Sequence, residues 1–520
     1  MLGRPWPPAF PEARALFVTA LATVPSWGFC MCIGYLVHSF ELDDRGDGAD
    51  SAPRRTVHRS TKPWREWNVA LFPLCLGYFC FAIFGLYLLA TYELPTDHRF
   101  KADVELANRV QKRSGYGKGE KIFIAAMFYN NAPVIPYWTQ EITKLIHYLG
   151  PDNVFVSIVE SYSSDATPTL LLSFDKALEA MGVPHRILTR DTSIPRPTSM
   201  LTAPPRIDFL AATRNLVIEP LVERGGYDRL LFSNDVFVEA EAIVELLHTR
   251  DGDYDMACGV DFHNRGNLSK LDCTAGCTTS GSCATGAGHL VSALWPYFLD
   301  DPSLHQSMND EPVSAFTCWN GIVSIRAEPF LPPSLRSTAP GKQLSSAPLT
   351  PALPSTHPLY TPPHAGNTAE MTPASAPPLR FRASSSLATG ECFSSESFNL
   401  PYDLQRVFAL SDIYVNPRVI TAYQWRFYVW FKYVLRHWVV KRWIERVERG
   451  RGVHLAKWVL GDPTEVWRWD GGECHPGPEH VLDGEERIGD ESARIDDAGA
   501  ALEGGALSWL AGDYGGSKAL

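Results

Sequence analysis

Residues 227–239, YDRLLFSNDVFVE, contain a short apolar run that Ser233-Asn234-Asp235 interrupts before Val236-Phe237-Val238 resumes it. Leu230, Leu231 and Phe232 have the composition of a buried strand. A carboxylate at the end of such a strand reaches the crevice outside an open α/β sheet, where ligands bind. Asp235 would there hold a hard divalent cation, which would neutralise a nucleotide diphosphate. Asn and Asp also favour turns for local reasons, and the tripeptide alone favours that plainer account.

The elements that must position Asp235 alternate along the chain. A strongly apolar strand begins at Lys121 and closes on Asn130-Asn131; residues 137–149 follow with helical spacing. A second strand, 153–160, ends in Glu160. A helix over 167–181 is opened by Pro168 and closed by Gly182. A third strand over 185–191 ends in Asp191, and a helix over 207–221 leads into the Asp235 element. Strand and helix in alternation predict an α/β domain whose sheet is mainly parallel, with helices on both faces. Asn130, Glu160, Asp191 and Asp235 then gather on the carboxyl edge, making Asn130, Glu160, Asn234 and Asp235 candidates for holding a nucleotide.

Several chemistries are excluded. No G-x-G-x-x-G follows the first strand, and there is no G-x-x-x-x-G-K-[ST], G-x-S-x-G or H-E-x-x-H. Dehydrogenase, P-loop, typical esterase and zincin readings fall away. The formal net charge of −11 argues against nucleic acid as a partner, because phosphate binding wants a basic face. With 45% hydrophobic residues, a chain of 520 has material for a substantial core. Among its 11 cysteines, Cys258, Cys318 and Cys392 are candidates for disulfides in an oxidising lumen, or for buried thiols.

Residues 69–92 carry no charged side chain and are long enough to span a membrane, which takes roughly 20 apolar residues. Residues 15–40 form a second uncharged stretch, interrupted by Pro25, Gly28, Gly34 and His38, so one or two transmembrane helices are expected. The basic loop between them favours the cytosol and leaves everything after Tyr92 in the lumen. Residues 93–120 read as a stem.

Further segments, taken in order, resemble the fungal capsule-associated α-1,3-mannosyltransferase family. They are KIFIAAMFYNN, PPRIDFLAATRN, LLFSNDVFVEAEAIVELL, YDMACGVDF, WPYF, PVSAFTCWNGIVSI, LRFR, ECFSSES and IYVNPRVITAY, spread from Lys121 to Tyr423. The resemblance implies a GT-A-like nucleotide-sugar-binding domain over 121–423, anchored in a Golgi or other secretory-pathway membrane with the catalytic domain lumenal. It implies transfer of mannose from GDP-mannose to a fungal glycan acceptor, such as capsule polysaccharide, in α-1,3 linkage. Asn234-Asp235-Val236 would be the counterpart of an Asp-x-Asp metal motif, so the single carboxylate needs the diphosphate or a further ligand to complete Mn²⁺ coordination. Arg214, beside Asn215, would bind a phosphate or serve as a surface charge. Asp261, ending the strand of YDMACGVDF, would face the donor sugar or the acceptor. Trp319 and Asn320 resemble an acceptor-side loop, although a core position is the plainer role for Trp319. Glu391 and Glu396 are the best carboxylates for a catalytic or acceptor-orienting role. An α-linked donor giving an α-linked product means retention, which requires no general base.

Two segments depart from the family pattern. Residues 263–294 lack its acidic, aromatic stretch, and Cys273, Cys277, Cys283 and His289 fit no common zinc spacing. That departure favours an alternative: a catalytically inactive, membrane-anchored member that binds glycan or scaffolds polysaccharide assembly. Residues 332–378 are rich in Pro, Ser, Thr and Ala and are expected to be a disordered insertion. Beyond the domain, 424–460 reads as a basic aromatic helix that lies on the membrane interface or covers the domain. The acidic 461–520 reads as a disordered tail.

Overall fold

The computed structural model describes residues 99–383 and 395–436, apart from 199, 201–202, 265–268, 272–276, 279–300, 340–341, 351, 354, 356 and 361–369, together with Cys80 and Ile83. The chain separates into two compact units, one of residues 1–94 with 432–437, the other of 95–431 with 438–520. Both expected spans lie outside the described residues, Cys80 and Ile83 excepted, and so do Glu391, most of 263–294 and the tail. Among the described residues no helix is long and apolar enough to cross a membrane.

Most of the expected stem, from Lys101 on, belongs to the domain. Helix α1 (Lys101–Arg109) buries Val104 and Ala107, and the Tyr116 N–H donates to the Tyr148 carbonyl at 2.7 Å. Strand β1 (Ile122–Phe128) follows, with Ile122 to Ala126 all fully buried. A strand covered on both faces reads as a continuous apolar run, which is why it shows no alternation. Helix α2 (Ile135–Leu149) starts with Pro136 in its first turn, where the missing N–H costs nothing. It buries Trp138, Ile142, Leu145 and Ile146. Strand β2 (Val154–Glu160), helix α3 (Thr167–Met181), strand β3 (His185–Leu188), helix α4 (Ala203–Arg224) and strand β4 (Arg229–Ser233) complete the alternation. Helix α3 stops at Gly182, whose φ of 66° suits a left-handed cap.

These strands stand in the order β3-β2-β1-β4, all parallel. Successive connections step away from β1 on one side, then α4 returns the chain to its other side. The gap between the ends of β1 and β4 is therefore a topological switch point.

The other half of the sheet is mixed, which corrects the expectation of a mainly parallel one. Helix α5 (Ala240–Leu247) leads to β5 (Met256–Asn264), β6 (Ser269–Leu271) and β7 (Cys277–Thr278). Helix α6 (Asp301–Met308), β8 (Val313–Thr317), β9 (Ile322–Arg326), α7 (Glu396–Phe408), β10 (Ile413–Ala422) and α8 (Trp425–Val429) follow. The full order is β3-β2-β1-β4-β9-β5-β10-β8-β7, with β9 antiparallel to both β4 and β5. Strand β9 fills the slot beside β4, separated from β8 by two strands and pointing the same way as β8, so the chain crosses β10 and β5 between them. Cys258 of β5 and Cys318, just after β8, form a disulfide.

The 332–378 segment is packed where it is described, not disordered as expected. Leu344, Leu353 and Ala376 are buried. Arg336 donates to the carbonyls of Leu331, Pro373 and Ala374, and burial lowers its pKa to about 10. The His357 ring lies against Asp403 of α7, 3.3 Å from Nε2 to Oδ1. A Pro-rich segment short of apolar side chains is thus ordered by cations and backbone carbonyls. The described start of the basic aromatic segment covers the domain: the Trp425 ring packs on Tyr137 and Phe237, and Tyr428 is fully buried.

Candidate active site at the carboxyl edge

Asp235 sits two residues beyond β4, and its backbone is pinned on both sides. Trp138 Nε1 donates to Ser233 Oγ at 2.9 Å, and the Asn234 N–H donates to the Gly321 carbonyl at 2.8 Å. The Val236 N–H returns to the Asn234 carbonyl at 2.9 Å, a three-residue turn with Asp235 at its centre. The Phe237 N–H then joins the Ala422 carbonyl at the end of β10. Glu141 Oε2 accepts the Ala240 N–H at 3.0 Å and caps the start of α5. A polar tripeptide between two apolar runs has become a fixed corner.

The Asp235 carboxylate faces the loop after β1. Asn131 Nδ2 donates to Asp235 Oδ2 at 2.6 Å, bridging the switch point between β1 and β4. Asn131 is itself held, its N–H on Thr167 Oγ1 and its Oδ1 on the Tyr129 N–H. Burial pushes the Asp235 carboxyl up to about 6; the Asn131 amide and the Arg214 charge pull the other way without cancelling it. A carboxylate this short of compensating charge is one that a bound cation would relieve. Among the described residues there is no group of three His, Cys, Asp or Glu arranged around a metal. Asp235 fits a cation whose remaining oxygens come from a diphosphate, water or a further ligand.

Arg214, from the middle of α4, is buried near this corner. Its Nη1 donates to Glu396 Oε1 at 2.6 Å, and both side chains are less than a tenth exposed. The guanidinium lies 4.8 Å from the Trp319 ring centre. Next to it, Asn215 exchanges two hydrogen bonds with the backbone of Phe381, and Arg382 grips Asp403 with two, at 2.7 and 2.9 Å. Segments ATRN, LRFR and the helix after ECFSS, far apart in sequence, meet here.

Other expected site residues lie elsewhere or are spent on structure. Asn130 has a left-handed φ of 51° and accepts from the Ser164 N–H, tying the β1 loop to the β2 loop. Glu160 is fully buried, and its two oxygens accept the Ser163 and Arg190 N–H groups at 3.0 and 2.7 Å. It shapes the crevice wall and has no surface exposed to a nucleotide. Asp261 does not end its strand: β5 runs on to Asn264 because β6 folds back on Phe262, His263 and Asn264. Trp319 is 6% exposed, its ring packed on Phe232 and Phe381 with Arg214 beyond. A stacking platform needs an open face, so Trp319 is core. Asn320 is buried as well; its Nδ2 lies 3.8 Å from Cys258 Sγ, and its Oδ1 has no partner. Glu396 is the first residue of α7, following the N-cap Ser395.

Asn131 was the residue sequence reasoning passed over. Its signal was its place in the Asn pair closing the first strand, where two adjacent amides exceed what one turn requires. A cavity of about 180 Å³ lies at the opposite edge of the sheet, lined by Asp228, Arg229, Asp255, Arg326 and Lys342 among others. Its cations are paired with neighbouring carboxylates, and it is not the site described above.

Comparison with known proteins places these features in a lineage. The chain is 26% identical over 221 residues to an α-1,3-mannosyltransferase, CMT1, of Cryptococcus neoformans, a stretch covering 38% of this chain and 45% of that protein. The chain thus spans less than half the length of this curated relative. Among solved structures, a mannosyltransferase of Pyrobaculum calidifontis in complex with GDP-Man and Mn²⁺ is 11% identical, with a TM-score of 0.29, covering 80% of this chain and 92% of that one. Residues 1–349 of TarS from S. aureus are 12% identical at a TM-score of 0.23, covering 40% and 48%. The model of the family Cryptococcal mannosyltransferase 1 matches residues 121–403, more than half of the 520, and the chain belongs to that family.

Proposed function

We propose that this chain is a metal-dependent glycosyltransferase of GT-A-like architecture. It transfers mannose from GDP-mannose to a glycan hydroxyl in α-1,3 linkage. The observation that carries the reading is the Asn131–Asp235 bond across the switch point. It puts an under-compensated carboxylate where an open α/β sheet receives a nucleotide. Mannose and the linkage follow from family membership and from the activity in the relative's name.

Asp235 binds the cation, and Asn131 fixes which carboxylate oxygen is left free for it. Mn²⁺, when bound, neutralises the charge that develops on the departing diphosphate. Arg214 adds a second positive charge beside it, and the aromatic wall of Phe232, Trp319 and Phe381 keeps bulk water from that guanidinium. Retention of configuration assigns no general base. A location in a Golgi or other secretory-pathway membrane, with the domain in the lumen, draws support from the Cys258–Cys318 disulfide, a bond of oxidising compartments.

The test is mannose transfer from GDP-mannose to mannoside acceptors, with and without Mn²⁺, in wild type and Asp235→Asn. Transfer should be Mn²⁺-dependent and fall at least about a hundredfold in the variant. Equal transfer by both proteins removes Asp235 from the mechanism. A second reading, an inactive glycan-binding member, is favoured by the lone carboxylate and by the 263–294 segment; glycan binding without transfer would select it.

A further inference from the structure

Arg214 is held differently from Arg382 beside it. Arg382 spends its fork on Asp403 through two bonds, at 2.7 and 2.9 Å, as an arginine that fastens two elements together does. Arg214 gives Glu396 one bond, from Nη1 at 2.6 Å, and its Nε has no partner although it is buried. The rings of Trp319, Phe381 and Phe232 stand 4.8, 5.6 and 5.8 Å from the guanidinium carbon and restrict its movement. A guanidinium carries five N–H donors, and leaving one unmade in a dry site is costly. The arrangement wastes binding capacity as a fastening and suits a group kept ready for an acceptor that arrives later. Phe232, one of these rings, lies three residues before Asp235 in the chain.

Glu396 is the other half of the arrangement. It is 3% exposed, it begins α7, and its Oε1 is committed to Arg214. Opening a helix, its negative charge also meets the positive end of the helix dipole. A carboxylate so enclosed is poorly placed to meet a substrate hydroxyl.

Resting on the donor reading above, we propose that Glu396 is a positioning residue, not a catalytic one. It anchors the Arg214 guanidinium on the aromatic wall so that its unspent N–H edge receives the diphosphate of the nucleotide sugar beside Asp235. The sequence expectation of a catalytic carboxylate at this position is replaced by a role exerted through arginine.

The full chain is tested with GDP and Mn²⁺ as the binding probe and GDP-mannose as the donor. Glu396→Gln should weaken GDP binding and raise the donor KM about tenfold. Its kcat should stay within about threefold of wild type. Arg214→Lys should likewise weaken GDP binding, and the double variant should bind GDP no more weakly than Arg214→Lys alone, because both changes remove one interaction. Should Glu396→Gln fail to fold, Glu396→Asp keeps the charge, draws the guanidinium back by one methylene, and must show the same defect confined to KM. A fall in kcat of about a hundredfold with GDP affinity intact would make Glu396 catalytic and overturn the proposal. A lower melting temperature with unchanged KM and kcat would make the pair merely structural and overturn it too. A wild type that binds no GDP removes the donor reading itself, and this inference with it.

Discussion

Asp235 is a side chain whose burial works against the fold that holds it. Its pKa stands raised from 3.8 to about 6, with burial the largest cause. The sign follows from linkage: a raised folded-state pKa contributes stability below the unfolded value, and that contribution is lost as the pH rises through the folded one. Without a cation, Asp235→Asn should therefore be more stable than wild type at pH 7 by about 2–3 kcal/mol, an upper figure for a shift of this size. The amide keeps an oxygen for Asn131 to donate to. The gap between the two melting curves should close below about pH 4, open through about pH 6, and shrink on adding Mn²⁺. A variant less stable than wild type across that range would contradict the account. Glu160 is the opposite case, a buried carboxylate whose two oxygens are both used. The sequence presents both as carboxylates near strand ends; only the partners separate them.

At the scale of elements, the corner after β4 depends on the turn between β8 and β9. Gly321 has a φ of 69°, and a Cβ there would lie 2.0 Å from Thr421 Oγ1. Its carbonyl accepts the Asn234 N–H. Gly321→Ala should cost upwards of about 2 kcal/mol, from strain together with the clash, and should reduce transfer by displacing Asn234-Asp235. Adding Thr421→Ala should recover part of the stability; thermal melts of the single and double variants check both claims. The first half of the sheet was legible because its strands are continuous apolar runs separated by helices with Pro at the start or Gly at the end. Ile122 to Ala126 and Pro136 carried that pattern on their own. The mixed half was not legible, since strand direction depends on which slot a returning strand finds. Nor does any periodicity reveal that Arg214 and Glu396, 182 residues apart, share a bond. The Asp235 corner was readable from composition, whereas the Asn131 contact that gives it meaning spans 104 residues.

On the scale of the whole molecule, the Pro-rich segment straps α7 to the domain. Arg336, His357 and Arg382 meet carbonyls or the buried Asp403, which is fully inaccessible. Asp403→Ala would strand Arg382 without its partner and should cost about 3–5 kcal/mol. Arg336→Ala should cost about 2–4 kcal/mol and expose the segment to limited proteolysis. Stability measured by denaturant titration, unchanged in both variants, would argue that the strap adds nothing. Strand β10 has a further consequence for how this protein is made. Last of the strands among the described residues, it is inserted between β5 and β8, and its final carbonyl holds Phe237 in place. A nascent chain emerging from the ribosome therefore carries an unzipped β5 edge through some 150 residues of synthesis, from Met256 to Ile413, and an unzipped β8 edge through about the last 100 of them, a long exposure to mispairing. The corner that carries Asp235 is complete only once residue 422 is free of the exit tunnel.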